Sequence, residues 1–486
     1  MRRLLTLVLL LMSLSVVAKT VNPLDYGLRT AKTGEERYYA LKRCHEDAVK
    51  NGYSISYKGI GEIQISVPKD AVILPLTDVT DFAGVRIVMD NKTKNFRMFQ
   101  LQGSCELIDG VTGKNIDEGD YTGNEKLWKG LMFVYLQDEN PWINTRLGYN
   151  STAVYKRKDI IVVKNGRAQN KPIMPYNNSA SKPKVWYSSI TSNKKIIKNL
   201  EFIRTATSTF ISSPLALRFE YNVEISNISV ITPKVTTITQ GDGCFIIEDC
   251  ARITMNDINI DGTYSTSKST GYGVRLLNVY DIRINRMNAH GGWGIFGNYN
   301  VNQATLRNCD INRFDIHYYG RDIKSVNCIY RDLYNQFASV YGEVSFKKCE
   351  FINTIPVLIE SSFNAYTPFE LVWKDCTFRL SQKKNYLITL FGVPQPYNDR
   401  PELRRKCLPN ITIKNCRVYL DDDVDEWQMM RSQGVGYKDS FDYITDVSIN
   451  NVRVFSKKEK TFEMYSEDLK TTHTVKTTIK ILNYNK

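Results

Sequence analysis

His317 and Tyr319 lie two positions apart in Asp315-Ile-His-Tyr-Tyr319, a stretch that reads as a strand. Alternate residues of a strand face the same way, so the spacing predicts an imidazole and a phenol side by side on one surface. Arg321 follows at the same parity. An acid–base pair beside an arginine suits removal of a proton from a carbon next to a carboxylate. One group takes the proton, the other protonates the departing oxygen, and the guanidinium neutralises the carboxylate onto which the charge spreads. The chain has only four histidines in 486 residues, so one facing outward among tyrosines and arginines is informative.

Aligning neighbouring segments extends the set. Gly273-Val-Arg-Leu-Leu277, Gly294-Ile-Phe-Gly-Asn298, Asp315-Ile-His-Tyr-Tyr319, Gln336-Phe-Ala-Ser-Val340 and Pro356-Val-Leu-Ile-Glu360 superpose by pattern. With Val274, Ile295, Ile316, Phe337 and Val357 inward, the outward residues are Arg275, Asn298, His317, Tyr319 and Glu360. The expected catalytic residues are His317, Tyr319, Arg321 and Glu360. The expected substrate contacts are Arg275, His290, Asn298, Arg313, Tyr341 and Trp142, with no metal site. Asp315 also has outward parity. Glu360 with Asp315 or Asp332 keeps open a hydrolytic reading, which needs two carboxylates about 5–9.5 Å apart.

These residues need a scaffold that repeats. From Lys195 to about Phe455 one phrase recurs ten times, starting at 195, 223, 253, 282, 304, 323, 344, 371, 411 and 447. Clear copies are Val223-Glu-Ile-Ser-Asn-Ile-Ser-Val230, Val344-Ser-Phe-Lys-Lys-Cys-Glu-Phe351 and Ile411-Thr-Ile-Lys-Asn-Cys-Arg-Val418. Each alternates like a strand, then slips by one residue at the Asn slot. Asn tolerates left-handed dihedrals, so the slip predicts a bend between two strands. Such a phrase, repeated at intervals near 20 residues, predicts a coil of stacked turns. The fold expected is all-β, a single-stranded right-handed parallel β-helix. In the repeat, Cys309, Cys328, Cys349, Cys376 and Cys416 share one slot. They predict a buried column of free thiols whose parallel Cβ vectors suit bridging poorly. Cys244 and Cys250 are the pair open to a bond.

The repeat and its capped start resemble the pectate-lyase-like superfamily of secreted polysaccharide lyases and hydrolases. The resemblance covers nearly the whole chain in fold. It implies a polysaccharide-acting protein with its site on the outer rung surface. The clustered aspartates of calcium-dependent pectate lyases are absent. So is the motif series of polygalacturonases, of which His290-Gly-Gly is at most a fragment. With the basic charge and the His/Tyr/Arg set, the implied activity is β-elimination on a uronate-containing glycan, a glycosaminoglycan such as chondroitin or hyaluronan. A glycoside hydrolase on the same scaffold and a non-catalytic glycan-binding β-helix are the alternatives.

Composition and order fill in the rest. Residues 1–18 have signal-peptide form, with Arg2-Arg3, an apolar run from Leu4 to Leu11 and Val16-Val17-Ala18. They predict export to the periplasm or beyond, and no later run is long enough to span a bilayer. The formal charge of +14 favours an acidic polysaccharide partner; no nucleic-acid partner is expected, and oligomeric state is open. Residues 19–95 are expected to form an N-terminal cap and first rungs, with a helix starting at Thr33-Gly-Glu-Glu36 and a structural His45. Residues 96–190 break the pattern and read either as irregular rungs or as an inserted module. There Trp142 and the basic run Lys156-Arg-Lys158 could hold a sugar chain. The main coil is expected over 191–456 and a C-terminal cap over 457–486. No cofactor is expected. The run Asp421-Asp-Asp423 leaves Ca²⁺ possible, although it lacks the spacing of a calcium loop.

Overall fold

The computed structural model describes residues 19–138, 157–176, 181–210, 212–232, 243–262, 272–290, 294–360, 369–382, 384–391, 409–433, 446–457, 461–465, 476–479 and 482–485. The leader, Trp142, most of the two long excursions after residue 391 and part of the tail lie outside the described residues. The fold is a parallel β-helix. One ladder runs through Val79–Asp90, Lys195–Arg204, Tyr221–Thr232, Phe245–Gly262 and Tyr272–Ala289. It continues through Tyr299–Arg307, Tyr318–Val326, Val340–Lys347, Phe369–Lys374, Asn410–Lys414 and Asp446–Asn450. All these pairings are parallel. The tail, whose alternation from Thr471 to Leu482 suits pairing with the last rung, supplies the strands Lys476–Ile479 and Leu482–Asn485, which pair onto the coil as a further rung.

The bend slot behaves as its chemistry requires. Asn199, Asn227, Asn308, Asn327, Asn415 and Asn451 all have φ between 53° and 65°. Their side chains climb the coil, Asn227 donating to Asn199 at 2.9 Å, Asn327 to Asn308 at 2.7 Å and Asn451 to Asn415 at 3.0 Å. Each bond satisfies an amide that the turn would otherwise leave to water. Inside the corner, Ile225, Met255, Ile284 and Leu306 stand in register and are buried. Ser325 takes this place one rung later, where its hydroxyl meets the buried Tyr330 hydroxyl at 2.6 Å. The five repeat cysteines are buried and free, as are Cys244 and Cys250. Burial without a bridge fits their common slot.

A helix, Gly34–Asn51, closes the first rungs with a full capping box between Thr33 and Glu36 and with Gly52 as left-handed C-cap. It covers an edge that would otherwise present unpaired backbone. His45 on its inner face is fully buried, with Nδ1 2.7 Å from the Pro75 carbonyl and Nε2 2.7 Å from the Tyr57 hydroxyl. A carbonyl only accepts, so Nδ1 carries the proton and Nε2 accepts from Tyr57. Burial pushes the imidazole pKa down to about 4, against a smaller upward effect of the Pro75 carbonyl.

Between Gln102 and Lys195 the chain leaves the coil to build a five-stranded antiparallel sheet. This sheet has its own core of Leu127, Val134, Leu136, Ile161, Val163 and Tyr176. Its other face, with Phe133, Tyr135, Ile160 and Val162, packs on Tyr221, Ala251 and Tyr280 of the coil. A buried ion pair, Arg157 to Asp138 at 3.0 Å, ties its strands together.

Candidate functional site

The site is built where the first strand of one rung meets the next two rungs. Tyr272 opens the strand Tyr272–Ala289 and stands over Gly294, its partner in register. Strict alternation gives Tyr272 the parity of inward Val274, yet it is half-buried at the surface. Gly297 admits its ring, since a Cβ there would fall 2.4 Å from Tyr272 Cδ2. Gly294 in turn makes room for Arg313, whose Cδ would lie 2.7 Å from an added Cβ. Two glycines in Gly294-Ile-Phe-Gly297 therefore let large polar side chains settle against the backbone.

His317 meets this tyrosine. Its Nε2 lies 3.0 Å from the Tyr272 hydroxyl and 3.3 Å from Asp315 Oδ2, with the histidine side chain 21% exposed. Asp315 is fully buried and is held from three sides. Arg313 Nη2 is 2.6 Å from its Oδ2, the Asn298 backbone N–H donates to Oδ1 at 3.2 Å, and His317 completes the set. Arg313 also donates to Gln336 Oε1 at 2.9 Å and stacks over Tyr334 at 4.8 Å. Taking a carboxylate out of water is costly unless an opposite charge lies close to it, and Arg313 supplies that charge. Asp315 and the Tyr272 hydroxyl therefore face the same ring nitrogen, Nε2, of a partly exposed imidazole.

Arg275 lies three residues beyond Tyr272 and donates to the Tyr299 hydroxyl at 3.0 Å. Tyr299 stacks on Tyr318 at 4.8 Å, next to His317. Tyr272, His317, Tyr299 and Arg275 are all half-buried and so can reach a ligand.

Several expectations are corrected. Tyr319 does not share a face with His317. Its φ of 54° places it in a left-handed corner, in register between Asn300 and Ser339, and this breaks the alternation that parity assumed. It is fully buried with Ile173, Met174 and Ala338 beneath the inserted sheet. Arg321 donates to the Ile173 carbonyl at 2.7 Å and the Pro172 carbonyl at 3.3 Å, so it anchors that sheet. Tyr341 packs there too, its hydroxyl 3.7 Å from Met174 Sδ. Arg313 and Asn298 are buried. The first neutralises Asp315 and the second accepts from the Leu276 N–H at 3.1 Å, so neither contacts substrate directly. Asp315 is also buried rather than outward.

His290 pairs with Asp310 at 3.2 Å, an aspartate already held by Arg331. Glu360 ends the strand Val357–Glu360, but its side chain lies outside the described residues. Of the expected residues, His317 and Arg275 are half-buried, His317 against Tyr272 and Arg275 against Tyr299. Reading by alternation missed Tyr272, Tyr299 and the Asp315–Arg313–Gln336 support. Among the described residues no group of His, Cys, Asp and Glu is arranged to hold a metal, and Asp422 of the acidic run pairs with Lys457 at 3.1 Å.

No protein-family profile matches the sequence, and no curated protein matches it at significance. Solved structures match the fold. The tailspike protein gp49 from Pseudomonas phage LKA1 superposes with a TM-score of 0.52 at 12% identity, over 96% of this chain and 81% of that one. The Gp54 tailspike of Acinetobacter baumannii bacteriophage AP22, in complex with a capsular saccharide, gives 0.55 at 13% identity, over 96% and 76%. At these identities the likeness is one of architecture: this chain has the parallel β-helix of phage tailspikes.

Proposed function

We propose that the chain is an exported polysaccharide lyase that cleaves an acidic, uronate-containing glycan by β-elimination at the Tyr272–His317 pair. The observation that carries this reading is the 3.0 Å contact between the Tyr272 hydroxyl and His317 Nε2, above a buried aspartate. His317 takes the C5 proton of the uronate, and the electron pair forms the C4–C5 double bond. The C4–O bond breaks, and Tyr272 protonates the departing oxygen. Arg275 faces the sugar carboxylate, whose charge grows as the proton leaves. Asp315, 3.3 Å from the same nitrogen, stabilises the imidazole once it is protonated and does not touch substrate. A polysaccharide is favoured over a small ligand because the AP22 tailspike of the same architecture is in complex with a capsular saccharide. The signal-like leader supports export.

A hydrolytic site needs a second carboxylate, and among the described residues the acid in the cluster is the buried Asp315. The test is to incubate the purified chain with a panel of acidic polysaccharides, chondroitin and hyaluronan among them. The expected result is near-ultraviolet absorbance from an unsaturated uronate at new chain ends. New reducing ends without that absorbance would assign a hydrolase, and glycan retention without new ends would assign a binding protein.

A further inference from the structure

We infer that the later rungs carry a second site, a cationic strip along the coil that holds an acidic polysaccharide chain away from the Tyr272–His317 pair. The inference rests on the reading of the partner as an acidic glycan, but it concerns other residues and needs no catalysis. Lys347, Lys374 and Lys414 occupy one register position on three successive rungs, a spacing of roughly 4.8 Å per rung. Around the left-handed corner, Arg417 pairs in register with Arg453. These two arginines and Lys348 line a groove of about 370 Å³. All six side chains belong to exposed residues.

The strip lacks internal neutralisation. Several other outward arginines of the coil pair with an acid one rung away, as in Arg286 with Asp257, Arg331 with Asp310 and Arg379 with Glu350. Among the described residues the six strip cations make no such pair. The one acid in the groove, Asp375, accepts from Asn415 Nδ2 at 3.3 Å. Like charges directly opposite one another on neighbouring strands destabilise a sheet, so three stacked lysines have a cost that a bound polyanion removes. The strip is straight and parallel to the coil axis. A linear chain with acidic groups at regular intervals fits it, whereas a short ligand engages only part of it.

The test uses the full chain with long chondroitin sulfate, a chondroitin tetrasaccharide, neutral dextran and duplex DNA as probes. One variant replaces Lys347, Lys374 and Lys414 with Ser; a second carries Arg417→Gln and Arg453→Gln. Exposed ion pairs contribute little each, but three together amount to about tenfold in affinity. The lysine variant should bind long chondroitin sulfate about tenfold more weakly at low salt and the arginine variant about fivefold, and each should keep its tetrasaccharide turnover. Dextran should not bind. Unchanged long-chain affinity in both variants would overturn the strip, as would tighter strip-dependent binding of DNA than of chondroitin sulfate. If the variants lose long-chain binding while no form turns over the tetrasaccharide, the strip stands and the elimination reading falls. Turnover by all forms with unchanged binding gives the reverse.

Discussion

The Tyr272 hydroxyl and Nε2 of His317 lie 3.0 Å apart although 45 positions separate them in the chain. Two rungs of the coil bring them together, and the intervening rung contributes the glycine against which the tyrosine ring rests. His317→Ala and Tyr272→Phe should each lower turnover by about two to four orders of magnitude with the melting temperature little changed. Near-normal rates in both variants, measured by uronate absorbance, would move the chemistry elsewhere.

Arg275 predicts a different kinetic signature. It binds a carboxylate that is present before the reaction and more highly charged during it, so Arg275→Ala should raise KM and lower kcat together. A fall in kcat alone would argue against a role in binding.

Arg313 is a matter of stability. Arg313→Ala leaves Asp315 buried beside an uncompensated space, which should cost about 3–5 kcal/mol, read by denaturant unfolding. Replacing Arg313 and Asp315 together by apolar residues should recover part of that loss but not activity, because His317 would lose the carboxylate that stabilises its protonated form.

Tyr319 should behave as a packing residue. Tyr319→Phe should keep turnover within a few fold, whereas Tyr319→Ala should destabilise by about 3–5 kcal/mol, as loss of a buried aromatic ring does. A turnover loss of a hundredfold in Tyr319→Phe would return it to the chemistry.

His45 gives the cap a pH dependence. Its folded pKa of about 4 lies below the ordinary 6.5, so the unfolded chain binds the proton more readily. The stability this contributes is complete above about pH 6.5 and is lost as pH falls towards 4, by about 3 kcal/mol in all. Unfolding of the N-terminal rungs followed by hydrogen exchange should show that slope, and His45→Gln should flatten it.

The fold was legible because the coil writes its geometry into the chain at every rung. Asn at the corner and apolar residues on each side of it are local requirements, and Asn227 or Asn327 meets them without help from distant residues. The site was legible only in part. His317 and Arg275 follow the alternation and were found by it. Tyr319 occupies a corner usually marked by Asn, Asp or Gly, and a tyrosine there gives no sign that the strand has turned. Tyr272 carries the parity of the interior, and what lets it out is Gly297 on another rung. Relations between rungs decide such positions, and a single-rung pattern does not contain them.

The pairing of Val79–Asp90 with Lys195–Arg204 spans the whole inserted sheet and has a consequence for the order of assembly. A growing chain completes the early strands long before the later rung they must join exists, and meanwhile Val79–Asp90 has its pairings with Ser54–Ser56 and Glu62–Ser66 and the cover of the helix Gly34–Asn51. Beyond Lys195 each strand finds its neighbour after a far shorter loop, and shorter loops close at lower entropic cost. The nucleus therefore falls in the later turns, and the N-terminal strands zip on backwards once the inserted sheet has formed. Pulsed hydrogen exchange during refolding should find the amides of Ile225 and Met255 protected before that of Ile87.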